Sequence, residues 1–336
     1  MKLLRSCPIV ATMNTFATAI ATTSQSGRHL RIALVTETYP PEVNGAAMTI
    51  GRLVDGLLAR GHCVQLIRPS RDAGEQYQHW GKLDVAPQPG FRIPFYPQVR
   101  VGLPVGRRLR QLWRKSVPDI VHVFTEGPLG AAAVFSARRL GLPLSSSFHT
   151  NFHTYSGHYG LGLLAGPIVA YLRCFHNQTA CTLVPTAALA CQLESLGFRN
   201  LRVLARGVDI DLFSPSRRDP TLRQSWGVAC DDPVALYVGR LAAEKNLNLV
   251  VDAFLAMRAV KPRARLVLVG DGPLAATLRS RLPEAVFCGM RTGVDLAAHY
   301  ASADIFLFPS LTETFGNVTL ELEMFLVELI DSRRVG

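Results

Sequence analysis

The feature that most restricts the fold is an alternation of short apolar runs and amphipathic segments that passes through the chain twice. The first series opens with "LRIALVTE", Leu30 to Glu37. It continues through "CVQLIRP" from Cys63, "DIVHVF" from Asp119, "LPLSSSFH" from Leu142, "CTLVP" from Cys181 and then "LRVLARGVD". Such runs, without strict polar alternation, predict strands buried on both faces, as in a parallel sheet. Helical patterns lie between them, for example "TIGRLVDGLLARG", which closes on Gly61. A Pro- and Gly-rich stretch, residues 71–106, is expected to hold one strand around "FRIPFY". After a stretch rich in proline and charge the alternation restarts: "VALYVGR", "NLNLVVDAFLAM", "RLVLVGD", "LAATLRSRL", "AVFCGM", "VDLAAHYASA", "IFLFPS".

Two β-α-β series, each rebuilt from a first strand, predict an α/β protein with two Rossmann-like parallel-sheet domains facing a cleft. The expected boundaries are an N-terminal extension at 1–29, a first domain at 30–213, a linker at 214–233 and a second domain at 234–336. A chain of 336 residues suits two domains. In open parallel sheets ligands bind beyond the carboxyl ends of the strands, so the loops there are where chemistry is expected. The 36 basic against 25 acidic residues give a net charge of +11, which favours anionic partners. The seven cysteines are scattered, with no Cys-x-x-Cys pair, and indicate neither a zinc knuckle nor a redox motif. They fit a reducing cytoplasm. No run of about 18 apolar residues predicts a membrane span. Residues 1–29, whose apolar stretches are interrupted, are expected to be a disordered extension in preference to a signal peptide.

Four strand-end stretches carry the candidate chemistry. In "TYPPEVNGAA", Pro40 and Pro41 stiffen the loop, and Gly45 lets the backbone approach a ligand before a helix start. In "SSSFHTNFHTY", His149 stands at the strand end. His149, His153 and His158 have metal-like spacing, but no acid in the stretch completes a site, and a histidine that hydrogen-bonds a ligand fits better. In "VGRLAAEKNL", Gly239 precedes Arg240, and Lys245 follows five residues on, so two cations can converge on a diphosphate. In "PSLTETFGNVTLE", Glu313 lies in the loop, Gly316 and Asn317 offer backbone N–H groups, and Glu321 sits near the helix start. Carboxylates suit sugar and ribose hydroxyls, and helix-start N–H groups suit phosphate oxygens.

Read together, these stretches resemble the retaining glycosyltransferases of family 4, of the two-domain GT-B type, over residues 30–322. The resemblance rests on the Gly45 loop, "SFHT", "RGVD" at 206–209, "VGR…EK", "VGDGP" at 269–273 and the paired glutamates. "HTNFHTYSGHYG" is similar to bacterial GDP-mannose-dependent α-mannosyltransferases. The resemblance implies transfer of a hexose from a nucleotide-diphosphate sugar to a lipid or saccharide acceptor, with retention. It implies that Arg240 and Lys245 neutralise the leaving diphosphate, Glu321 holds the ribose and Glu313 the donor sugar. Phe315, Gly316 and Asn317 would touch sugar and phosphate. Asn44 and Gly45 would approach the diphosphate, and Gly239 would flank it. His149 would lie near the reacting face.

No cofactor or metal is expected, because the two cations do that work. "DID", Asp209 to Asp211, is read as a structural turn. A nicotinamide enzyme is disfavoured, since no G-x-G-x-x-G follows a strand. A nucleic-acid partner is disfavoured, since aromatic residues are not interleaved with basic ones. Residues 100–116, "RVGLPVGRRLRQLWRKS", carry six cations and no acid, with Leu109, Leu112 and Trp113 among them. They are expected to form an interfacial helix on an anionic membrane, at the cytoplasmic face. After Glu321 the chain departs from the family pattern, which implies a shortened second domain and, as the alternative function, a catalytically impaired remnant.

Overall fold

The computed structural model describes residues 28–42, 44–93, 96–149, 165–205, 207–229 and 231–309. The first series forms one sheet in the order β10-β9-β8-β7-β1-β2-β4-β3. The strands of the first series are β1 (Arg31–Val35), β2 (Cys63–Pro69), β7 (Ile120–Val123), β8 (Leu144–Ser147), β9 (Cys181–Val184) and, at one edge, β10 (Leu201–Val203). β1 pairs in parallel with both β2 and β7, with Leu34 opposite Leu66 and His122. Ala33, Leu34 and Val35 have at most 1% of their surface exposed, which is why this strand reads as a continuous apolar run. The chain moves outward from β1 to one edge, then crosses to β7, so the strand order reverses between β1 and β7. Such a reversal opens a crevice at the strand ends.

Helix α1 (Gly45–Ala59) follows β1 and turns Ala47, Ile50 and Val54 inward, a spacing of one helical face. Helices α2 (Gly106–Lys115), α3 (Pro128–Arg139), α4 (Ala165–His176) and α5 (Ala187–Ser195) supply the later crossovers.

Residues 71–106 hold more structure than the single expected strand. β3 (Gln78–Trp80) and β4 (Leu83–Gln88) form a hairpin about Gly81, which has φ +64°. β4 then pairs in parallel with β2. β5 (Gly90–Ile93) and β6 (Tyr96–Gly102) make a separate antiparallel ribbon. These strands are short and contain proline, polar residues and glycine, so no apolar period announces them.

The second series forms a four-stranded parallel sheet in the order β13-β12-β11-β14. The strands are β11 (Val234–Val238), β12 (Arg265–Val269), β13 (Val286–Gly289) and β14 (Ile305–Phe306). Helices α7 (Leu247–Val260), α8 (Ala275–Arg281) and α9 (Gly293–Ser302) link them. Here the strand order reverses between β11 and β14. One face of the sheet packs Tyr237, Leu266 and Leu268 against Val250, Val251 and Phe254 of α7. The other face packs Leu236 and Val267 with Tyr300 of α9 and with Phe213, Trp226 and Val228. Within the stretch expected to be a linker, helix α6 (Pro220–Ser225) is therefore followed by core residues. Its Arg223 is 5% exposed and bonds Asp304, at 2.9 Å, and the carbonyls of Ser302 and Asp232.

Candidate active site

At the carboxyl end of β1 the loop is fixed by Thr36, whose hydroxyl donates to the Thr38 carbonyl at 2.8 Å. The next side chain, Glu37, accepts the Leu129 N–H at 3.0 Å, at the first turn of α3. A Cβ at Gly127 would overlap this carboxylate, so a larger residue there would displace the Glu37 side chain from the start of α3. The peptide between Pro40 and Pro41 in this loop is cis. Asn44 caps α1: its Oδ1 accepts the Ala47 N–H at 2.8 Å and its carbonyl accepts the Met48 N–H. Gly45 is therefore the first residue of the helix and not part of the loop, and a Cβ there would meet nothing within 4 Å.

His149 follows β8 and is partly buried. Its ring stacks on Phe124, which follows β7, with centroids 4.0 Å apart and planes 30° apart. Two residues beyond Phe124 lies Glu126, which sequence reasoning missed. The hydroxyl of Tyr171 on α4 donates to its carbonyl at 2.5 Å, and its carboxylate lies 3.3 Å from Nε2 of His176. His176 is fully buried. Its Nδ1 is 2.9 Å from the Ser146 hydroxyl, which is 3.1 Å from each hydroxyl of Thr179 and Thr182. In the tautomer with Nδ1 accepting from Ser146, the Nε2 hydrogen faces the Glu126 carboxylate, so His176 can orient it. The signal was present as "TEGPLG", a strand end that meets a Gly-Pro helix start, but its partners lie 20 to 56 positions away.

At the end of β11 the geometry is set by backbone. Gly239 has φ +151° and Gly270, after β12, has φ +136°, conformations that L side chains rarely adopt. A Cβ on Gly270 would fall on the Gly239 carbonyl, and one on Gly272 on the Leu241 backbone, both well under 3.0 Å. Three backbone bonds stitch the two turns together: Gly239 N to Val269 O, Leu241 N to Asp271 O and Leu274 N to Leu241 O. The Tyr237 hydroxyl donates to the Arg240 carbonyl at 3.1 Å. A 3-10 turn, Ala243–Lys245, and the left-handed Asn246 lead into α7. Arg240 is exposed and Lys245 half-buried, both on the strand-to-helix turn where they were expected.

Glu313, Phe315, Gly316, Asn317 and Glu321 lie outside the described residues, as do His153 and His158. Asp209 of "DID" accepts the N–H groups of Asp211 and Leu212, closing a turn. One expectation is corrected. Residues 100–102 belong to β6, and Leu109 and Trp113 of α2 are at most 1% exposed, with Trp113 Nε1 donating to Gln65. Those apolar side chains serve the core and do not enter a bilayer.

A family model described as Glycosyltransferase Family 4 matches residues 43–212, and one described as Glycosyl transferases group 1 matches residues 232–326. A GDP-mannose-dependent alpha-mannosyltransferase of Corynebacterium glutamicum is 33% identical over 310 residues, covering 92% of this chain and 74% of that protein. An alpha-monoglucosyldiacylglycerol synthase of Streptococcus pneumoniae is 27% identical, covering 87% of this chain and 68% of that protein. Among solved structures, sucrose-phosphate synthase from Thermosynechococcus elongatus superposes with a TM-score of 0.68 at 17% identity, covering 88% of this chain and 79% of that one.

Proposed function

The chain belongs to glycosyltransferase family 4, and we propose that it moves a hexose from a nucleotide-diphosphate sugar to a lipid or saccharide acceptor with retention of configuration. Mannose from GDP-mannose is the preferred reading, supported by the similarity to the Corynebacterium glutamicum protein. The observation that carries the proposal is the turn after β11. It presents Arg240 and Lys245 from a backbone held by Gly239, Gly270 and Gly272.

The physical argument follows the charge. Breaking the bond between sugar C1 and the phosphate oxygen leaves negative charge on the diphosphate and positive charge on the ring. Arg240, a planar fork, and Lys245, a compact charge, would hold the diphosphate and stabilise its departure. They would do this without a metal. The acceptor oxygen bonds to C1 as the phosphate oxygen leaves, and the acceptor's proton passes to that phosphate on the same face. His149, steadied by its stack on Phe124, would hydrogen-bond the sugar near C1. Glu126, oriented by His176, would accept a hydrogen bond from the acceptor hydroxyl. By the family resemblance Glu321 would hold the ribose and Glu313 the donor sugar, with Phe315, Gly316 and Asn317 beside them. Asn44 would position the Gly45 backbone toward the diphosphate.

We place the enzyme at the cytoplasmic face of a membrane as a peripheral protein. No helix of the described residues is long and apolar enough to cross one. The support is α2, whose Arg107, Arg108, Arg114 and Lys115 are exposed. With Leu109 and Trp113 committed to the core, adsorption would be electrostatic, without insertion.

The test is a panel of nucleotide sugars, read by nucleotide release in the presence of lipid and saccharide acceptors. GDP-mannose should give the highest turnover. Lys245→Ala should lower turnover by about 30- to 1000-fold, the effect of losing roughly 2 to 4 kcal/mol of transition-state stabilisation, with little change in melting temperature. Near-normal turnover in that variant would remove the leaving-group role.

A further inference from the structure

Three elements of the second series each turn one short face toward a common space. Leu222 and Trp226, four residues apart, lie at the end of α6. Val286 and Cys288 are two apart on β13, and Asp295 and His299 are four apart on α9. These spacings put each pair on one side of its helix or strand. Between the pairs lies a cavity of about 250 Å³. β13 is an edge strand, with β12 between it and β11, so the space is separate from the turn that carries Arg240 and Lys245.

The wall holds one unanswered polar atom. His299 is 2% exposed. Its Nδ1 lies 2.7 Å from the Asp295 carbonyl oxygen, which can only accept. Nδ1 therefore carries a hydrogen, and Nε2 of the neutral ring holds a lone pair. Nε2 has no hydrogen bond among the described residues, while the ring forms part of the cavity wall. A buried acceptor left without a donor is costly, and a ligand that supplies the donor removes that cost. The Trp226 ring stands beside the imidazole, with centroids 5.6 Å apart and planes 49° apart.

The rest of the wall carries no net charge. Burial holds the Cys288 thiol above its usual range, against a bond from Trp226, so the sulfur stays protonated. Arg291 and Asp295 pair with each other at 2.9 Å. Leu222 and Val286 are apolar. An anion finds no spare cation in this wall, and a neutral ring with one donor matches it. A cavity of about 150 Å³ takes up benzene, so the larger space here has room for a fused pair of rings.

We propose that this cavity is a binding site for a neutral aromatic heterocycle of one or two rings. The ring packs against Trp226 and Val286, and its N–H or O–H donates to Nε2 of His299. The binding involves neither donor nor acceptor sugar, so it stands apart from the transfer reaction and its test reads no turnover.

The test titrates the full chain by calorimetry with indole and with benzofuran, which has the same shape without the N–H. Indole should bind saturably, and benzofuran about five- to tenfold more weakly, the loss of one neutral hydrogen bond. His299→Phe keeps a ring and removes the acceptor, and should bind the two within about twofold of each other. Ser225 is exposed and lines the cavity, whereas its neighbour Gln224 is exposed and does not. Ser225→Trp should therefore abolish saturable indole binding, and Gln224→Trp should keep it. Matching melting temperatures will show that both tryptophan variants fold. Equal indole binding by these two variants would place the ligand elsewhere and overturn the proposal. Equal affinity of the wild type for indole and benzofuran would overturn it too, as would the absence of saturable indole binding.

Discussion

The strand ends of the two sheets solve the same problem by opposite means. In the first sheet they are organised by side chains that bond other side chains and helix starts. Glu37 caps α3, Asn44 caps α1, Phe124 carries His149, and a buried hydroxyl network holds Glu126 through His176. In the second sheet the turns after β11 and β12 are organised by backbone, with glycines where a Cβ would collide. The difference teaches how each half suits its proposed ligand. A diphosphate would be recognised by charge and N–H groups, which suits a turn whose backbone is held close by glycines and which carries Arg240 and Lys245. A varied acceptor is recognised by oriented hydrogen-bonding groups, so the side chains there are braced.

The contrast can be broken with one substitution at two places. Gly270→Ala forces a Cβ onto the Gly239 carbonyl at φ +136° and should cost on the order of 3 kcal/mol or more in stability, from strain plus displaced backbone bonds. Gly45→Ala meets no atom within 4 Å. It should hold or raise stability by about 0.5–1 kcal/mol through helix propensity, while lowering turnover if the diphosphate approaches that backbone. Chemical denaturation of both variants, with the turnover assay, checks this. Equal losses of stability would erase the distinction between the halves.

The buried polar groups of the first sheet should make that half the acid-sensitive one. His122 lies inside β7, where burial pushes its pKa down from 6.5 to about 4. Between these values the unfolded chain binds a proton that the native chain does not, so stability rises with pH. The contribution is complete above about pH 6.5 and is lost as pH falls toward 4. The span is worth up to about 3 kcal/mol. His122→Leu should flatten that part of the stability-against-pH curve, measured by denaturant unfolding from pH 7 to pH 4. An unchanged slope would assign the acid sensitivity elsewhere.

Much of this was legible in the sequence for a physical reason. Central parallel strands are apolar on both faces, so β1, β2, β7, β11 and β12 stood out as runs, and the glycine-bracketed turn with Arg240 and Lys245 followed from their ends. What could not be read depended on distant partners. Trp113 among arginines looked like a lipid anchor because its acceptor, Gln65, is 48 positions away. Glu126 was missed because His176 and Ser146, which orient it, come from other elements. Asn44 carried a local cap signal that places Gly45 inside the helix, and it was legible in principle. The hairpin of β3 and β4 lacked a period altogether.

The central claim is that Arg240 and Lys245 form a diphosphate site on the glycine-built turns of the second sheet. Calorimetric titration with GDP and with guanosine, on the wild type and on the Arg240→Ala/Lys245→Ala double variant, tests it most directly. The wild type should bind GDP at least about a hundredfold more tightly than guanosine, as two charge-assisted contacts of roughly 1.5 kcal/mol each would give. The double variant should bind the two ligands within a few-fold of each other. A double variant that folds normally and keeps the wild-type preference for GDP would contradict the account.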